Sequence, residues 1–346
     1  MTPSSSPDRA ANAAGSEPTA ASAAGRVGLS LGQRISAAVG VLILLGVCFG
    51  FLKGAQPTLQ TSMNGLVTGS YLALAAVGLT FIYGILRLIN FAQGDFLTFG
   101  AYMALLMNVF VHVDIVISLL FACLATAVLA MVLELGIWGP LRRRGAGSLE
   151  LILSTIGLAY VIRYSIQFVA GPDLQQLRVN DISFYRLPDG VTIGRTIALT
   201  TIASYALLLL IGVLLRYTQL GKQMRAMADN LELAETSGLN TRRLIVLVWA
   251  FGGALAGLAG VFYVASTGGF DPTFGFTLLL PLFAAILVGG AGDPYGALAG
   301  GVVLGLAEEW STLFISPAWQ LVVGFVVLIL VLLVRPQGIF APAARI

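Results

Sequence analysis

The chain has 346 residues, of which 58% are hydrophobic and only 10% are charged. Soluble domains carry about 25% charged residues, so this composition excludes an ordinary soluble enzyme, and a disordered chain would be far more polar. The net charge is only +3, with the basic residues spread along the sequence, which indicates no nucleic-acid partner. The single His112 excludes a histidine-based metal site, and no metal ion or other cofactor is expected.

The N-terminal residues 1–34 are rich in Ala, Ser, Gly and Pro and lack helical periodicity. They are predicted to form a disordered cytoplasmic tail. The apolar run 35–52 that follows is long and has no clear cleavage site, so we interpret it as a first membrane span. A cleaved signal sequence is the alternative.

Long stretches without charge predict an all-α polytopic membrane helix bundle. A membrane helix needs about 20 mostly apolar residues, and the sequence offers about ten such runs, with eight or nine spans as alternatives. A β-barrel is excluded, because its strands would alternate apolar and polar residues. The predicted spans are 35–52, 62–86, 96–113, 115–133, 151–170, 196–215, 244–270, 272–292, 294–307 and 310–334.

The basic residues predict the orientation of these spans. With both termini in the cytoplasm, 14 of the 19 Lys and Arg residues fall in cytoplasmic segments. This agrees with the excess of positive charge that cytoplasmic loops carry. The sequence thus predicts a membrane domain over 35–335 and a cytoplasmic C-terminal tail over 336–346.

Two hydrophilic loops interrupt the membrane domain. Segment 171–195 carries Asp173, Asp181 and Asp189 and is predicted to face the outside. Segment 216–243 is predicted to face the cytoplasm, and its middle, 223–239, suits a surface helix because it has no Pro. A connector needs only a few residues, so a length of 28 residues favours a docking surface over a plain connector.

Two Gly-Asp breaks interrupt the apolar pattern in the same way, each followed at once by a further span. Matched interruptions in two halves are a pointer to a transport pathway, and they suggest a parallel internal repeat. The alternative is a pair of tight cytoplasmic turns whose Asp residues lie at helix N-termini. The candidate pathway or gate residues are Asn90, Gln93, Gly94, Asp95, Gly292 and Asp293.

Small residues at four-residue spacing predict close helix packing. The pairs are Gly65/Gly69, Gly253/Gly257, Gly296/Gly300 and Gly301/Gly305.

A few charged residues are predicted to lie inside the membrane. Such residues are functional candidates with an expected partner, and we hypothesise that Arg163 pairs with Glu308 or Glu309. The alternative is that Arg163 extends alone toward the membrane surface. Glu134, near the inner end of its span, is expected to contact the basic loop 142–144.

Motifs for ATP binding and for nucleophilic catalysis are absent from the sequence. It contains no G-x-x-x-x-G-K-[ST], H-E-x-x-H, G-x-S-x-G or C-x-x-C. The chain is therefore predicted not to be an enzyme. Its few intramembrane charges give little support for coupling to an ion gradient.

Four separated motifs resemble those of branched-chain amino-acid ABC transporter permeases. The resemblance covers about residues 60–340, departing at Gln93, where the family often has His, and at Asp293, where Ser or Thr is commoner. The motifs are Ile89-Asn90-Phe91-Ala92-Gln93-Gly94-Asp95, Gly221-Lys222-Gln223-Met224-Arg225-Ala226, Leu287-Val288-Gly289-Gly290-Ala291-Gly292-Asp293 and Arg335-Pro336-Gln337-Gly338-Ile339-Phe340.

The resemblance implies a permease subunit in the bacterial inner membrane that moves branched-chain or other neutral amino acids by alternating access. It implies four further components: a second, similar permease, two cytoplasmic ATPase subunits and an extracytoplasmic binding protein. Segment 216–243 would dock the ATPases. The docking residues that it implies are Gly221, Arg225, Ala226, Asn230, Ala234 and Gly238.

Other functions remain open at this stage. A urea or short-amide permease of the same family is the first alternative, because related permeases move such solutes. A transporter acting alone is a second, and a membrane scaffold or an integral membrane enzyme is a third.

Overall fold

The computed structural model describes residues 31–178, 183–186 and 190–339, with side chains from residue 40 onward. Most of the predicted N-terminal tail, Asp181 and Asp189 of the predicted outside loop, and residues 340–346 of the C-terminal tail lie outside the described residues.

The described chain is almost entirely helical. A short antiparallel hairpin, β1 (Phe184–Arg186) and β2 (Thr192–Gly194), is its exception. Five-residue π-helical turns follow α3 and α4. The helices are α1 (Leu31–Lys53), α2 (Ala55–Leu86), α3 (Gln93–Leu105), α4 (Ile115–Leu133), α5 (Gly139–Arg143), α6 (Ser148–Ala170), α7 (Arg195–Tyr217), α8 (Gln219–Asp229), α9 (Leu231–Thr236), α10 (Thr241–Thr267), α11 (Phe274–Gly289), α12 (Pro294–Ser311) and α13 (Gln320–Val334).

The predicted all-α membrane bundle is confirmed, but the count of ten spans is not. Within the described residues, six helical stretches are long and apolar enough to cross a membrane, or up to seven if α11 and α12 form one bent span. Helix α3 is only 13 residues long, and α11 and α12 meet at a bend of 119°. The runs 96–113, 272–292 and 294–307 therefore do not each give a full-length straight helix.

The bundle has two distinct ends, which α7 connects. Helix α7 begins directly after β2 and ends just before α8, and its 23 residues reach roughly 35 Å. We call these the hairpin end and the α8–α9 end. Gln60 near the start of α2 fixes the hairpin, since its side-chain amide exchanges two hydrogen bonds of 3.0 Å with the Thr192 backbone.

Glycines allow α2 and α12 to pack backbone against backbone at the centre of the bundle. A Cβ at Gly65 would lie 2.9 Å from the Leu306 Cα, and one at Gly69 would lie 2.9 Å from the Val302 Cα. Because lipid tails are as apolar as the side chains, such packing is what drives helices together in a membrane. The predicted role of the glycine pairs in close packing is confirmed: Gly65/Gly69 and Gly301/Gly305 face each other, Gly253/Gly257 pack against α4, and Gly296/Gly300 pack against α11.

Candidate functional site

The first Gly-Asp break is buried in the bundle. Helix α2 ends at Leu86, and Asn90, Gln93 and Asp95 are all fully buried. The Asn90 side chain caps the break, because its Oδ1 accepts from the Ala92 backbone N–H at 3.1 Å and its Nδ2 donates to the Gln93 Oε1 at 3.3 Å. This segment is therefore a buried polar cluster between helices and not a tight turn at the surface, although Asp95 does lie in the first turn of α3, as that alternative expected.

Close approach to α11 explains the glycine in this cluster. A Cβ at Gly94 would overlap the Gly275 carbonyl oxygen, and the Gly275 N–H donates to the Thr98 Oγ1 at 3.2 Å. The start of α3 is thus held against the start of α11.

Asp95 carries the strongest polar contact of the cluster. Its carboxylate binds the Arg163 guanidinium in a bidentate manner, with Nε–Oδ1 at 2.9 Å and Nη2–Oδ2 at 3.0 Å. Arg163 lies roughly 22 Å along α6 from Ser148, and the Phe276 ring lies 4.3 Å from its guanidinium carbon. The pair connects α3 and α6 deep in the bundle.

The hypothesis that Arg163 pairs with Glu308 or Glu309 is therefore wrong. It placed Asp95 in a cytoplasmic turn at the membrane surface and so removed it from the choice of partners. Because the first break is buried, Asp95 lies at the depth of Arg163 and pairs with it through two hydrogen bonds. The expected contact of Glu134 is confirmed, since Arg142 forms an ion pair with it.

The second Gly-Asp break differs from the first. Asp293 is half-buried and caps α12, accepting from the Tyr295 N–H at 3.1 Å. Gly292 adopts a φ of +94° that favours glycine, and its backbone packs on Gly84 near the end of α2. The helix-capping interpretation holds for Asp293, and this break lies nearer to the surface than the first.

Segment 216–243 is helical and lies on the surface, as the sequence predicts, but it contains two short helices. Polar side chains accept from backbone N–H groups at each helix start: Thr218 for α8, Asn230 for α9 and Asn240 for α10. Such caps define helix ends without help from tertiary packing. Two separate helices therefore replace the single predicted one, and Asn230 separates them.

The predicted docking residues divide into two groups. Arg225, Ala226, Asn230 and Gly238 are exposed, whereas Gly221 and Ala234 are buried. A Cβ at Gly221 would overlap the Leu215 carbonyl oxygen, so this glycine seats α8 against the end of α7. Gly221 and Ala234 thus position the segment, and Arg225 also donates to the Leu215 carbonyl oxygen at the end of α7. The exposed surfaces of Arg225, Ala226, Asn230 and Gly238 are available for contact.

An exposed leucine that the sequence analysis did not single out adds to this surface. Leu233 is 64% exposed on α9, while Met224 and Met227 on α8 are buried against the bundle. The signal in the sequence was an apolar residue on the polar side of a short amphipathic helix. The exposure of Leu233 depends on which side of α9 faces the bundle. Helix α9 has only six residues, too few for their apolar pattern to determine that side.

Glu308 and Glu309 line a cavity of about 660 Å³ at the hairpin end. Thr68 on α2 donates to the Glu309 Oε1 at 3.2 Å, whereas the Glu308 Oε1 has no hydrogen-bond partner. Tyr71 and Tyr263 line the same cavity, with ring centroids 5.2 Å apart. Neither tyrosine is predicted as a site residue from the sequence, because nothing in the local sequence distinguishes them from core aromatic residues.

Comparisons with known proteins agree with this architecture. The family described as the permease component of the branched-chain amino acid transport system matches residues 61–332. The permease protein LivH of a high-affinity branched-chain amino acid transport system from Salmonella typhimurium is 31% identical over 300 residues, covering 81% of this chain and 94% of LivH. The corresponding protein BraD from Pseudomonas aeruginosa is 31% identical over 295 residues, covering 81% of this chain and 95% of BraD.

A sugar transporter subunit matches over a shorter region. The ribose import permease RbsC from Escherichia coli K12 is 33% identical over 128 residues, which cover 35% of this chain and 40% of RbsC. No solved structure matches. Because the family match extends through nearly all of the described bundle, the chain belongs to the family of branched-chain amino acid transport permeases.

Proposed function

We propose that the chain is the membrane-spanning subunit of an ABC importer for branched-chain amino acids. It lies in the bacterial inner membrane with both termini in the cytoplasm. It works with a second permease, two cytoplasmic ATPase subunits and an extracytoplasmic binding protein. ATP is hydrolysed in the partner subunits, and this chain contributes the path and the coupling surface.

One observation carries the choice of substrate. Two permeases named for high-affinity branched-chain amino acid transport match 81% of this chain, whereas the ribose permease matches 35%. The longer match covers most of the bundle, whereas the match to the ribose permease covers about a third of the chain. It therefore favours amino acids over sugars.

The α8–α9 end supports the proposed coupling to ATPases. Arg225, Ala226 and Leu233 form an exposed face on two capped helices, and Met224 and Met227 fix these helices to the bundle. One residue separates α7 from α8, and four residues separate α9 from α10. A displacement of α8 and α9 by an ATPase subunit would therefore move the adjoining ends of α7 and α10. Alternating access needs such a connection between the ATPases and the long helices of the bundle.

The buried cluster around Asn90 is proposed to hold the helices of the bundle together while the transporter changes conformation. It is not proposed to contact the solute. Asn90, Gln93 and Asp95 use their polar atoms on one another, on Arg163 and on the backbone. A gate at this point would have to break the ion pair in every cycle. We therefore assign these residues to the rigid part of the moving bundle.

Uptake in whole cells tests the function. Cells that lack this gene are compared with complemented cells for uptake of radiolabelled leucine, with urea and a short aliphatic amide in parallel. The expected result is a loss of leucine uptake that the gene restores. Loss of urea or amide uptake alone would contradict the amino-acid assignment, and uptake by the purified chain without partners would contradict the ABC mechanism.

A further inference from the structure

The cavity at the hairpin end is large enough for a small solute. It measures about 660 Å³, within the range of about 300–1,000 Å³ that ligand pockets occupy. Helices α2, α10, α11, α12 and α13 form its walls, and β2 lies at its edge. It therefore lies beside α2 and α12, which pack backbone against backbone, and at the opposite end from α8 and α9.

Two neighbouring carboxylates give this cavity its chemical character. Adjacent residues on a helix point about 100° apart, so Glu308 faces α13 while Glu309 faces α2. The Glu308 side chain lies against Gly324, where a Cβ would come within 2.5 Å of its Oε1, so an alanine there would displace the end of this side chain. Glu309 is oriented by its hydrogen bond from Thr68.

Neither carboxylate has a positive partner in the described part of the chain. The ion pairs found there use Asp95 and Glu134, and no Lys or Arg is among the described residues that line the cavity. Glu308 is only 8% exposed, and its Oε1 accepts no hydrogen bond. An acidic side chain inside a membrane protein is costly unless it has a partner. The geometry therefore leaves a place for a positive group that comes from outside the chain.

The remaining walls match the rest of an apolar amino acid. Asn64, Thr68 and Gln320 offer polar groups beside the carboxylates, while Val67, Leu278 and Leu321 form apolar surface. Ligand pockets combine mostly apolar walls with a few convergent polar groups in this way. A free amino acid with an aliphatic side chain needs one acceptor for its ammonium group, donors for its carboxylate and an apolar wall.

We infer that this cavity is a binding station inside the permease, in which Glu308 and Glu309 hold the ammonium group of the transported amino acid. The inference rests on the proposed function and names the group of the substrate that the bundle recognises. Urea and neutral amides lack this group, so the acidic pair selects against them. An inorganic cation is the other source of the same charge, and the experiment separates the two.

Direct binding to the transporter without its binding protein tests the station. The complex is purified through a tag on this chain, and binding of radiolabelled leucine is measured. Competition uses isopentylamine, which keeps the ammonium group, and 4-methylpentanoate, which lacks it. We expect leucine and isopentylamine to displace the label and 4-methylpentanoate not to. This ligand series needs no variant, so it does not depend on how variants fold.

Variants then test the two residues. The double variant Glu308→Gln/Glu309→Gln should weaken leucine binding at least about tenfold, since a hydrogen bond to a charged group is lost. Gly324→Ala should weaken it as well by displacing the Glu308 side chain. Glu150→Gln is the matched control: Glu150 is exposed and caps α6 through the Gly147 N–H, a role that Gln also fulfils.

Each contrary outcome has a distinct meaning. Leucine uptake by vesicles that contain the whole transporter, without leucine binding to the isolated complex, would overturn the station and leave the proposed function intact. Equal binding of the wild type and the double variant, or displacement by 4-methylpentanoate, would also overturn it. Loss of radiolabelled sodium binding in the double variant with leucine binding retained would assign the pair to an inorganic cation. Absence of leucine uptake by the wild-type vesicles would refute the proposed function itself.

Discussion

Arg163 and Asp95 form a bidentate ion pair that joins α6 to α3 in the interior of the bundle, with N–O distances of 2.9 and 3.0 Å. The two residues are separated by 68 positions in the sequence and are both buried. Phe276 of α11 covers the guanidinium face, so three helices meet at this point. The pair therefore fixes the buried break in the chain that precedes α3.

Removing one partner of this pair should destabilise the protein severely. Asp95→Asn or Arg163→Gln leaves an unpaired buried charge, at a cost of about 3–5 kcal/mol. We expect little folded protein in the membrane and a clearly lower midpoint of thermal unfolding for what remains. The measurement is the amount of monodisperse protein after extraction, together with its unfolding curve.

The double variant Asp95→Asn/Arg163→Gln distinguishes pairing from separate roles. It removes both charges, so it should recover stability relative to either single variant. Arg144→Gln, on an exposed arginine after α5, serves as the control and should behave as the wild type. Additive losses in the double variant would contradict the coupling of the two residues.

The sequence predicted local features of the fold well, because their physical causes are local. The glycine pairs Gly65/Gly69 and Gly301/Gly305 predicted close packing, since the four-residue spacing alone places the small residues on one face of the helix. Segment 223–239 predicted a surface helix. The interruption at Asn230 was also readable in principle, because Asn is a strong helix cap.

Features that depend on depth and on distant partners were not predictable. The apolar pattern locates the break at Asn90, but it does not show whether the break lies at the membrane surface or inside the bundle. That depends on how α3 packs against α6, α10 and α11, which no single stretch of sequence determines. The same limit explains why Tyr71 and Tyr263, which are far apart in the chain, were not recognised as neighbours in one cavity.

The exposed face of α9 yields a prediction for ATPase docking. Leu233 is 64% exposed and makes no contribution to the core, so Leu233→Ala should leave folding unchanged. If α9 contacts an ATPase subunit, this variant should lower recovery of that subunit with the tagged permease and reduce leucine uptake. Quantitative pull-down from membranes provides the measurement.

A matched leucine controls for the loss of apolar surface. Leu209 is 69% exposed on the side of α7, about two helical turns before the end of that helix and outside α8 and α9. Leu209→Ala should retain full ATPase recovery. Equal recovery with both variants would remove α9 from the docking surface.

Because α2 and α12 are in backbone contact, the addition of a single methyl group at this interface should lower the stability of the protein. A Cβ at Gly305 would overlap the Gly69 backbone nitrogen, so Gly305→Ala must push the two helices apart. Overpacking of this kind costs about 1–3 kcal/mol. We expect a lower unfolding midpoint in detergent for this variant.

Gly157 provides the control for this substitution. It lies in α6, and a Cβ there would meet nothing within 4 Å. Gly157→Ala should keep or slightly raise stability, because Ala is the better helix former by about 1 kcal/mol. A similar loss in both variants would show that helix separation is not the cause.

Gly238 terminates α9 in a left-handed conformation, with φ at +85°, and a Cβ there would meet open space. Backbone strain and added bulk can therefore be separated at this position. Gly238→Asn should be tolerated, because Asn adopts this conformation more readily than other residues, whereas Gly238→Ala should strain the turn by about 1–2 kcal/mol.

Gly238→Trp adds bulk to the exposed surface and should abolish uptake and uncouple ATP hydrolysis from transport. Uptake and ATPase rates of the three variants in vesicles provide the measurement. Full uptake by Gly238→Trp would contradict the docking role of this turn, since a surface that receives an ATPase subunit has no room for an indole ring.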